Sequence, residues 1–397
     1  MNVLLIADAY EPATISAAQQ LHDLVDSLAK TNGVTVTVLI PDASGGSLPP
    51  VEVQGNITLI RAHCPETKNI NHIRRVIAEF ILPFFLYRAL KKSAVKSRKW
   101  HGIIWYSPTI FLGPLVSKLK RIHGCRSYLI LRDLFPDWAV DTGVMRKGLA
   151  YRILKQVESY QYRQADVIGV QTPANLPHLA PWDKDTRRIE VLPNWLAPAR
   201  VEPCSLVVSQ TKLSGRRIFV YAGNMGVAQD MQPIIDMAAS LREFRDWGFL
   251  FVGRGSETEV IRQRIAQEGL DNVLLCDEIQ PQEIPELFTQ CHIGIVALDP
   301  RHTTHNIPGK FVAYMRSGLP VLARVNKGND LRDLIHTSKV GFAVDEPSQA
   351  NLQFAALELV ALSAEGLSTY AKAAKDLWAA QYSAEACAQQ ILARLTG

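Results

Sequence analysis

The sequence predicts an α/β protein built from two consecutive doubly wound units that face each other across a cleft. Three observations lead there. Short apolar runs alternate with stretches whose apolar residues recur at helical spacing, the alternation restarts at Arg217, and a proline-rich break at Pro193, Pro198 and Pro203 separates the halves. At 397 residues the chain is too long for one ordinary core, which fits two domains. A hydrophobic content of 47% with 20% charged residues and no low-complexity tract excludes extended disorder. The apolar runs fall short of the roughly 20 residues of a membrane span. The start on Val3-Leu4-Leu5-Ile6-Ala7 has neither a basic leader nor a cleavage site, so the protein is expected in the cytoplasm. Six cysteines without a C-x-x-C pair read as reduced thiols, and a net charge of +5 does not imply nucleic acid.

Val3–Ala7 is the first strand, and Ser16 to Lys30 a helix with Leu21, Leu24, Val25 and Leu28 on one face. Gly33 ends that helix and Val34–Ile40 is the next strand. The turn after the first strand faces the carboxyl edge of a parallel sheet, where such sheets bind ligands, so Thr14 and Ser16 are candidate residues. Asp42–Pro50 reads as a loop, followed by strands at Ile57–Arg61, Gly102–Tyr106, Tyr128–Leu131, Val167–Val170 and Ile189–Leu192. Thr172-Pro173 is a helix-cap pair. In the second half Arg217–Ala222 runs into Gly223-Asn224-Met225-Gly226, and Gly248–Val252 into Gly253-Arg254-Gly255. Each is followed by a helix, and Val273–Cys276, Ile293–Leu298 and Pro320–Ala323 complete the strands. Alanine-rich helical sequence closes the chain from residue 348.

The segment from His305 to Ala323 carries the clearest chemical signal. A helix opening on Pro308-Gly309-Lys310 brings free N–H groups, the positive end of its dipole and an ammonium to one place, which suits an anionic group such as a diphosphate. The plain alternative is a surface turn with an exposed lysine. His302 and His305 lie three apart without a third ligand nearby, so no metal is expected.

Several segments together resemble the retaining glycosyltransferases of the GT-B fold, family 4-like. They are Ala165–Thr172, Val191–Trp195, Tyr221–Gly226, Phe251–Gly255 and Met315–Val321. Leu131–Trp138 and Asn306–Lys310 are more specifically similar to the N-acetyl-L-fucosamine transferases of bacterial O-antigen and capsule assembly. The resemblance implies two Rossmann-like domains, with 1–195 and a returning C-terminal helix of about 378–397 binding the acceptor, and 196–377 binding the nucleotide sugar. It implies donor contacts from Gly223, Asn224, Met225, Gly226, Arg254, His305, Asn306, Pro308, Gly309 and Lys310. Arg132, Thr172, Thr14 and Ser16 would face the acceptor or sugar, and Asp133 and Lys310 would carry the catalysis. For Arg254 a solvated loop residue, and for Asp133 a simple helix cap, are the alternatives.

Three departures from the family pattern stand out. Asn224 and Gln229 occupy the neighbourhood where relatives carry an arginine and a lysine for the phosphates. His305 and Ala313 replace a pair of glutamates eight positions apart, so no ribose carboxylate is assigned. Arg132-Asp133 stands where relatives often place a histidine for the donor 6-hydroxyl, which is compatible with a 6-deoxy sugar.

Between Ile70 and Lys99 basic residues flank an aromatic centre, and Arg74, Arg75, Phe84, Phe85, Arg88, Lys91 and Lys92 are read as facing an anionic membrane surface. A buried helix with a solvated basic face is the alternative. The expected protein is therefore a peripheral enzyme on the inner face of the cytoplasmic membrane. It would move an N-acetylated 6-deoxyhexosamine from a UDP-sugar to a polyprenyl-diphosphate-linked glycan for lipopolysaccharide or capsule, without a cofactor. A UDP-sugar 2-epimerase and a non-catalytic sugar-nucleotide-binding or assembly protein are the rival readings.

Overall fold

The computed structural model describes all residues except 9, 11–14, 43–44, 66–71, 142, 300–306, 346–347 and 397, and for 72, 73 and 141 the backbone alone. The chain divides into two compact units, Met1–Ala197 with Ala384–Gly397, and Pro198–Ser383. Thr14, His305 and Asn306, assigned above to ligand sites, lie outside the described residues.

The first unit contains strands β1 (Asn2–Ile6), β2 (Thr35–Pro41), β3 (Val51–Gln54), β4 (Ile57–Ala62), β5 (Gly102–Ser107), β6 (Arg126–Leu131), β7 (Val167–Val170) and β8 (Arg188–Val191). Its helices are α1 (Ser16–Lys30), α2 (His72–Lys92), α3 (Gly113–His123), α4 (Asp137–Asp141), α5 (Leu149–Gln164) and α6 (Leu176–Leu179). The strand order is β3-β4-β2-β1-β5-β6-β7-β8, and every pair is parallel except β3 with β4. Strands covered on both faces read as continuous apolar runs, which is why they were legible in the sequence. β3 was not, because this short edge strand leaves Val53 and Gln54 exposed and looks like the loop before it.

The second unit contains β9 (Arg217–Ala222), α7 (Gln232–Ser240), β10 (Trp247–Val252), α8 (Thr258–Gln267), β11 (Val273–Cys276), α9 (Ile284–Thr289) and β12 (Ile293–Ala297). Next come α10 (Gly309–Ser317), β13 (Val321–Arg324), α11 (Asp330–Ser338), β14 (Gly341–Val344), α12 (Gln349–Val360) and α13 (Ala364–Leu377). All six strands are parallel, in the order β11-β10-β9-β12-β13-β14. The order therefore reverses between β9 and β12 here, and between β1 and β5 in the first unit. In open parallel sheets the crevice at such a reversal is where ligands sit.

The last helix, α14 (Ala384–Thr396), returns to the first unit. Leu395 lies where a side chain at Gly102 would stand, 2.7 Å from an added Cβ. The half-buried end of α14 is held by Glu190 of β8, which accepts from Tyr128 Oη (3.0 Å), Gln390 Nε2 (2.8 Å) and Arg394 Nε (2.7 Å). Glu190→Ala removes the acceptor of Tyr128 and Arg394, while Gln390 keeps its bond to the Val191 carbonyl. Because Arg394 is one-third exposed, the expected loss is about 2 kcal/mol, below that of a fully buried pair. Urea unfolding monitored by circular dichroism measures it, and an unchanged midpoint would show the cluster to be incidental.

The domain crossings differ from the sequence expectation. They fall after Ala197 instead of Trp195, and at Ala384 instead of residue 378. Trp195 is fully buried and donates to the Gln20 carbonyl, and the Ala197 N–H, two residues on, donates to Asp23, so the first unit keeps both residues. Residues 378–383 stay with the second unit because the π-turn Trp378–Tyr382 carries Tyr382 edge-on to Phe311 at 6.1 Å.

Candidate functional site

α10 begins immediately after Pro308, whose extended backbone (φ −63°, ψ 142°) makes it the N-cap without any side chain closing the helix end. Among the described residues the N–H groups of Gly309 and Lys310 have no acceptor, as expected of the open first turn. The helix is fixed by its other face. Phe311, Val312, Tyr314 and Met315 are buried, and the Tyr314 hydroxyl donates to the Val220 carbonyl of β9 at 3.1 Å. The ring of Tyr314 fills the space left by Gly294 of β12, where an added Cβ would stand 2.5 Å away. α10 is thereby pinned across the β9–β12 reversal.

Lys310 reaches from that helix to the turn after β9. Its ammonium lies 4.9 Å from the Tyr221 ring centre, and a Cβ added to Gly223 would stand 2.7 Å from Lys310 Cε and 2.9 Å from Nζ. No carboxylate among the described residues pairs with it. Loss of hydration lowers its pKa below the usual lysine value. A half-buried cation without a counter-ion, on a helix that presents free amides, is a site prepared for an anion.

The glycines beside it are required by the backbone itself. Beyond β9 and β10 the two chains continue side by side, with Gly223 N–H donating to Val252 O (2.8 Å) and Met225 N–H to Arg254 O (2.7 Å). Gly253 (φ +147°) and Gly255 (φ +153°) run so close that added Cβ atoms would lie 2.0 Å from Gly223 O and 2.2 Å from Met225 O. The G-x-G pattern thus serves close packing of two turns. Met225 is buried, Asn224 is exposed with its amide on Gln229 Oε1 (2.9 Å), and the same oxygen accepts the Gly226 N–H (3.1 Å).

Other expected donor and acceptor residues have different surroundings. Arg254 contributes its carbonyl to the turn pairing, but its exposed guanidinium forms an ion pair with Glu278 at 3.1 Å. Thr172 is fully buried and caps the turn Pro173–Asn175 through Asn175 Oδ1, so it presents no hydroxyl to a ligand. Arg132 turns inward: it donates to Leu192 O (2.7 Å) and Pro193 O (3.2 Å), and its guanidinium lies 5.1 Å from the Trp195 ring centre. Burial lowers its pKa, against which Tyr106 and Tyr128 act. It is a clamp on the strand end, not a free sugar contact.

Asp133 follows Arg132 at the carboxyl end of β6 and is exposed. Burial of one side of its carboxyl raises the pKa, and neighbouring Arg132 partly offsets that rise. Burial raises the pKa of Tyr106 at the end of β5, and Asp8 and Asp133 act in the same direction against Arg132. Asp8 and Tyr106 were missed in the sequence, where each is a lone polar residue at the end of an apolar run. Ser16 is exposed at the start of α1. Among the described residues no group of three His, Cys, Asp or Glu could hold a metal.

Comparisons with known proteins agree with this architecture. Residues 216–393 match the family described as Glycosyl transferases group 1. The probable glycosyltransferase WbjE of Pseudomonas aeruginosa is 23% identical over 315 residues, 77% of this chain and 76% of that protein. The putative colanic acid biosynthesis glycosyl transferase WcaI of Escherichia coli K12 is 22% identical over 211 residues, covering 50% and 52% of the two chains. Among solved structures, HepE of Anabaena in complex with UDP superimposes with a TM-score of 0.63 at 14% identity, covering all of both chains. Its two Rossmann-like units give the chain the GT-B fold, and with residues 216–393 matching the glycosyl transferases group 1 it is a glycosyltransferase similar to these relatives.

Proposed function

We propose that the protein is a retaining transferase that moves an N-acetylated 6-deoxyhexosamine of the fucosamine type from a UDP-sugar to a polyprenyl-diphosphate-linked glycan in bacterial surface-polysaccharide synthesis. The observation that carries the donor half is Lys310, a half-buried cation without a carboxylate partner at the β9–β12 reversal. The UDP complex of HepE and the colanic acid role given to WcaI support a UDP-linked donor and a polysaccharide product. The Arg132-Asp133 pair, in place of a histidine for the donor 6-hydroxyl, supports a 6-deoxy sugar. The enzyme would work as a peripheral protein on the cytoplasmic leaflet, where the basic, aromatic helix α2 favours an anionic surface.

In this reading the bond between the sugar anomeric carbon and the diphosphate oxygen breaks as the acceptor oxygen bonds to that carbon on the same face. The acceptor proton passes to the departing diphosphate oxygen. Lys310 and the first amides of α10 stabilise the charge growing on the diphosphate, and orientation of the two substrates supplies the rest. Asp133 would orient the acceptor hydroxyl or the sugar amide.

A nucleotide-release assay across a panel of UDP-sugars, with and without a lipid-linked acceptor, tests it. Release should require the acceptor and favour N-acetylated 6-deoxy donors. Donor conversion without acceptor would identify an epimerase, preference for a 6-hydroxy donor would overturn the sugar assignment, and no turnover of any donor would leave a binding protein.

A further inference from the structure

A second feature of the first unit lies away from the sheet reversal. Helices α2, α3 and α5 enclose a groove of about 520 Å³, with Phe80, Phe84, Phe111, Ile153, Val157 and Tyr160 among its walls. That volume falls in the range of sites for small apolar ligands. Two of these helices are tied through Thr109, which donates its hydroxyl to Glu79 of α2 (3.0 Å) and accepts at its carbonyl from Gln161 of α5 (3.1 Å). Phe80 stands edge-on to Phe111 at 6.3 Å, so one wall continues across the groove.

The rim is apolar and open to solvent. Phe80 is 68% exposed, Phe84 63%, Ile77 57% and Ile153 51%. Contiguous exposure of this kind marks an interaction surface. The charge on these helices is mostly positive, although Lys120 and Lys155 are paired with Asp166 and Asp137. Arg74, Arg75, Arg88, Lys91 and Lys92 lie on α2, with three further basic residues on α3 and three on α5; the only acids in the three helices are Glu79 and Glu158. Both acids are committed inside the fold, Glu79 to Arg75 and Thr109, and Glu158, 2% exposed, to Lys155 and Tyr162. Lys118 stands on the groove wall over the Tyr87 ring, 4.0 Å from its centre.

We propose that the α2–α3–α5 face docks on an anionic bilayer leaflet, with Phe80 and Phe84 entering the interface and a lipid hydrocarbon chain filling the groove. Aromatic residues inside a basic rim are what such a surface requires. The positive charge is spread along α2, about 30 Å for its length, which matches a plane of headgroups and not a single anionic group. This deepens the reading of α2 as membrane-facing from one helix to a three-helix face, and it does not depend on the donor chemistry.

Vesicle flotation tests it with the full chain, comparing phosphatidylglycerol-containing vesicles with phosphatidylcholine alone. The variants are Phe80→Ser with Phe84→Ser, and Lys91→Gln with Lys92→Gln. The wild type should float with the anionic vesicles and remain behind with the neutral ones. Losing the aromatic pair should lower partitioning by about tenfold or more, and each lost lysine by about fivefold at low salt. No flotation with anionic vesicles, equal partitioning of the aromatic variant, or a self-association that the aromatic variant abolishes would overturn the proposal. Thermal shift by UDP, measured on every variant, verifies folding and separates the two readings. Flotation without a UDP shift leaves the face standing and fails the donor assignment, and the reverse result fails the face alone.

Discussion

Replacing Lys310 with methionine is expected to lower turnover by about two to three orders of magnitude, the effect of removing one preorganised group that stabilises developing negative charge. Stability should move little, because the substitution keeps the apolar stem against Tyr221 and removes an ammonium with no carboxylate partner. The separation of the two effects is the informative part: steady-state kinetics and a thermal melt on the same preparation measure it. Equal losses in both would make Lys310 a structural residue.

The same lysine has a pH signature whose sign follows from its surroundings. Burial depresses its pKa in the folded state, while the unfolded chain keeps the ordinary lysine value. Below the folded value both states hold the proton and the full desolvation penalty is present. Between the two values the unfolded chain binds more protons, so stability rises with pH there and the penalty is relieved. A bound diphosphate restores the charged form. UDP binding at alkaline pH should then take up protons, and Lys310→Met should abolish that uptake. Calorimetry in buffers of different ionisation enthalpy reads it directly.

Gly253→Ala is expected to destabilise the second unit by about 3 kcal/mol or more, combining backbone strain with a collision that cannot relax. Its new methyl would meet the Gly223 carbonyl at 2.0 Å, and both chains there are fixed by hydrogen bonds. Gly223→Ala supplies the contrast. Its methyl would meet only the flexible end of Lys310, so the smaller cost is strain at φ +132°, while the ammonium is displaced. The first variant should lose folding and nucleotide binding together, the second binding out of proportion to folding. Chemical denaturation and UDP titration of the two variants decide it, and a wild-type midpoint for Gly253→Ala would refute the packing argument.

The residues explain what could and could not be read in advance. Parallel strands buried on both faces are uninterrupted apolar runs, so β7 and β9 appear in the sequence with their observed bounds, and the half-buried edge strand β11 does so because its four residues are also an apolar run. Pro308-Gly309-Lys310 announced a helix start because the capping rule is local. The roles of Arg132 and Arg254 were not local. Arg132 clamps carbonyls 60 and 61 positions away, and Arg254 meets Glu278 because β10 and β11 end side by side. Thr172 looked like an available hydroxyl, and only three-dimensional packing shows that it is sealed in a cap. Glu190 is a carboxylate in a strand whose partner Arg394 arrives 204 residues later, which no spacing rule anticipates.

In the proposed reaction Lys310 and the open start of α10 hold the diphosphate end of the donor. Isothermal titration of UDP and of uridine into the wild type and Lys310→Met tests it most directly. The wild type should prefer UDP over uridine, and the variant should lose most of this preference while its uridine affinity is unchanged. An undiminished preference for UDP in Lys310→Met would contradict it.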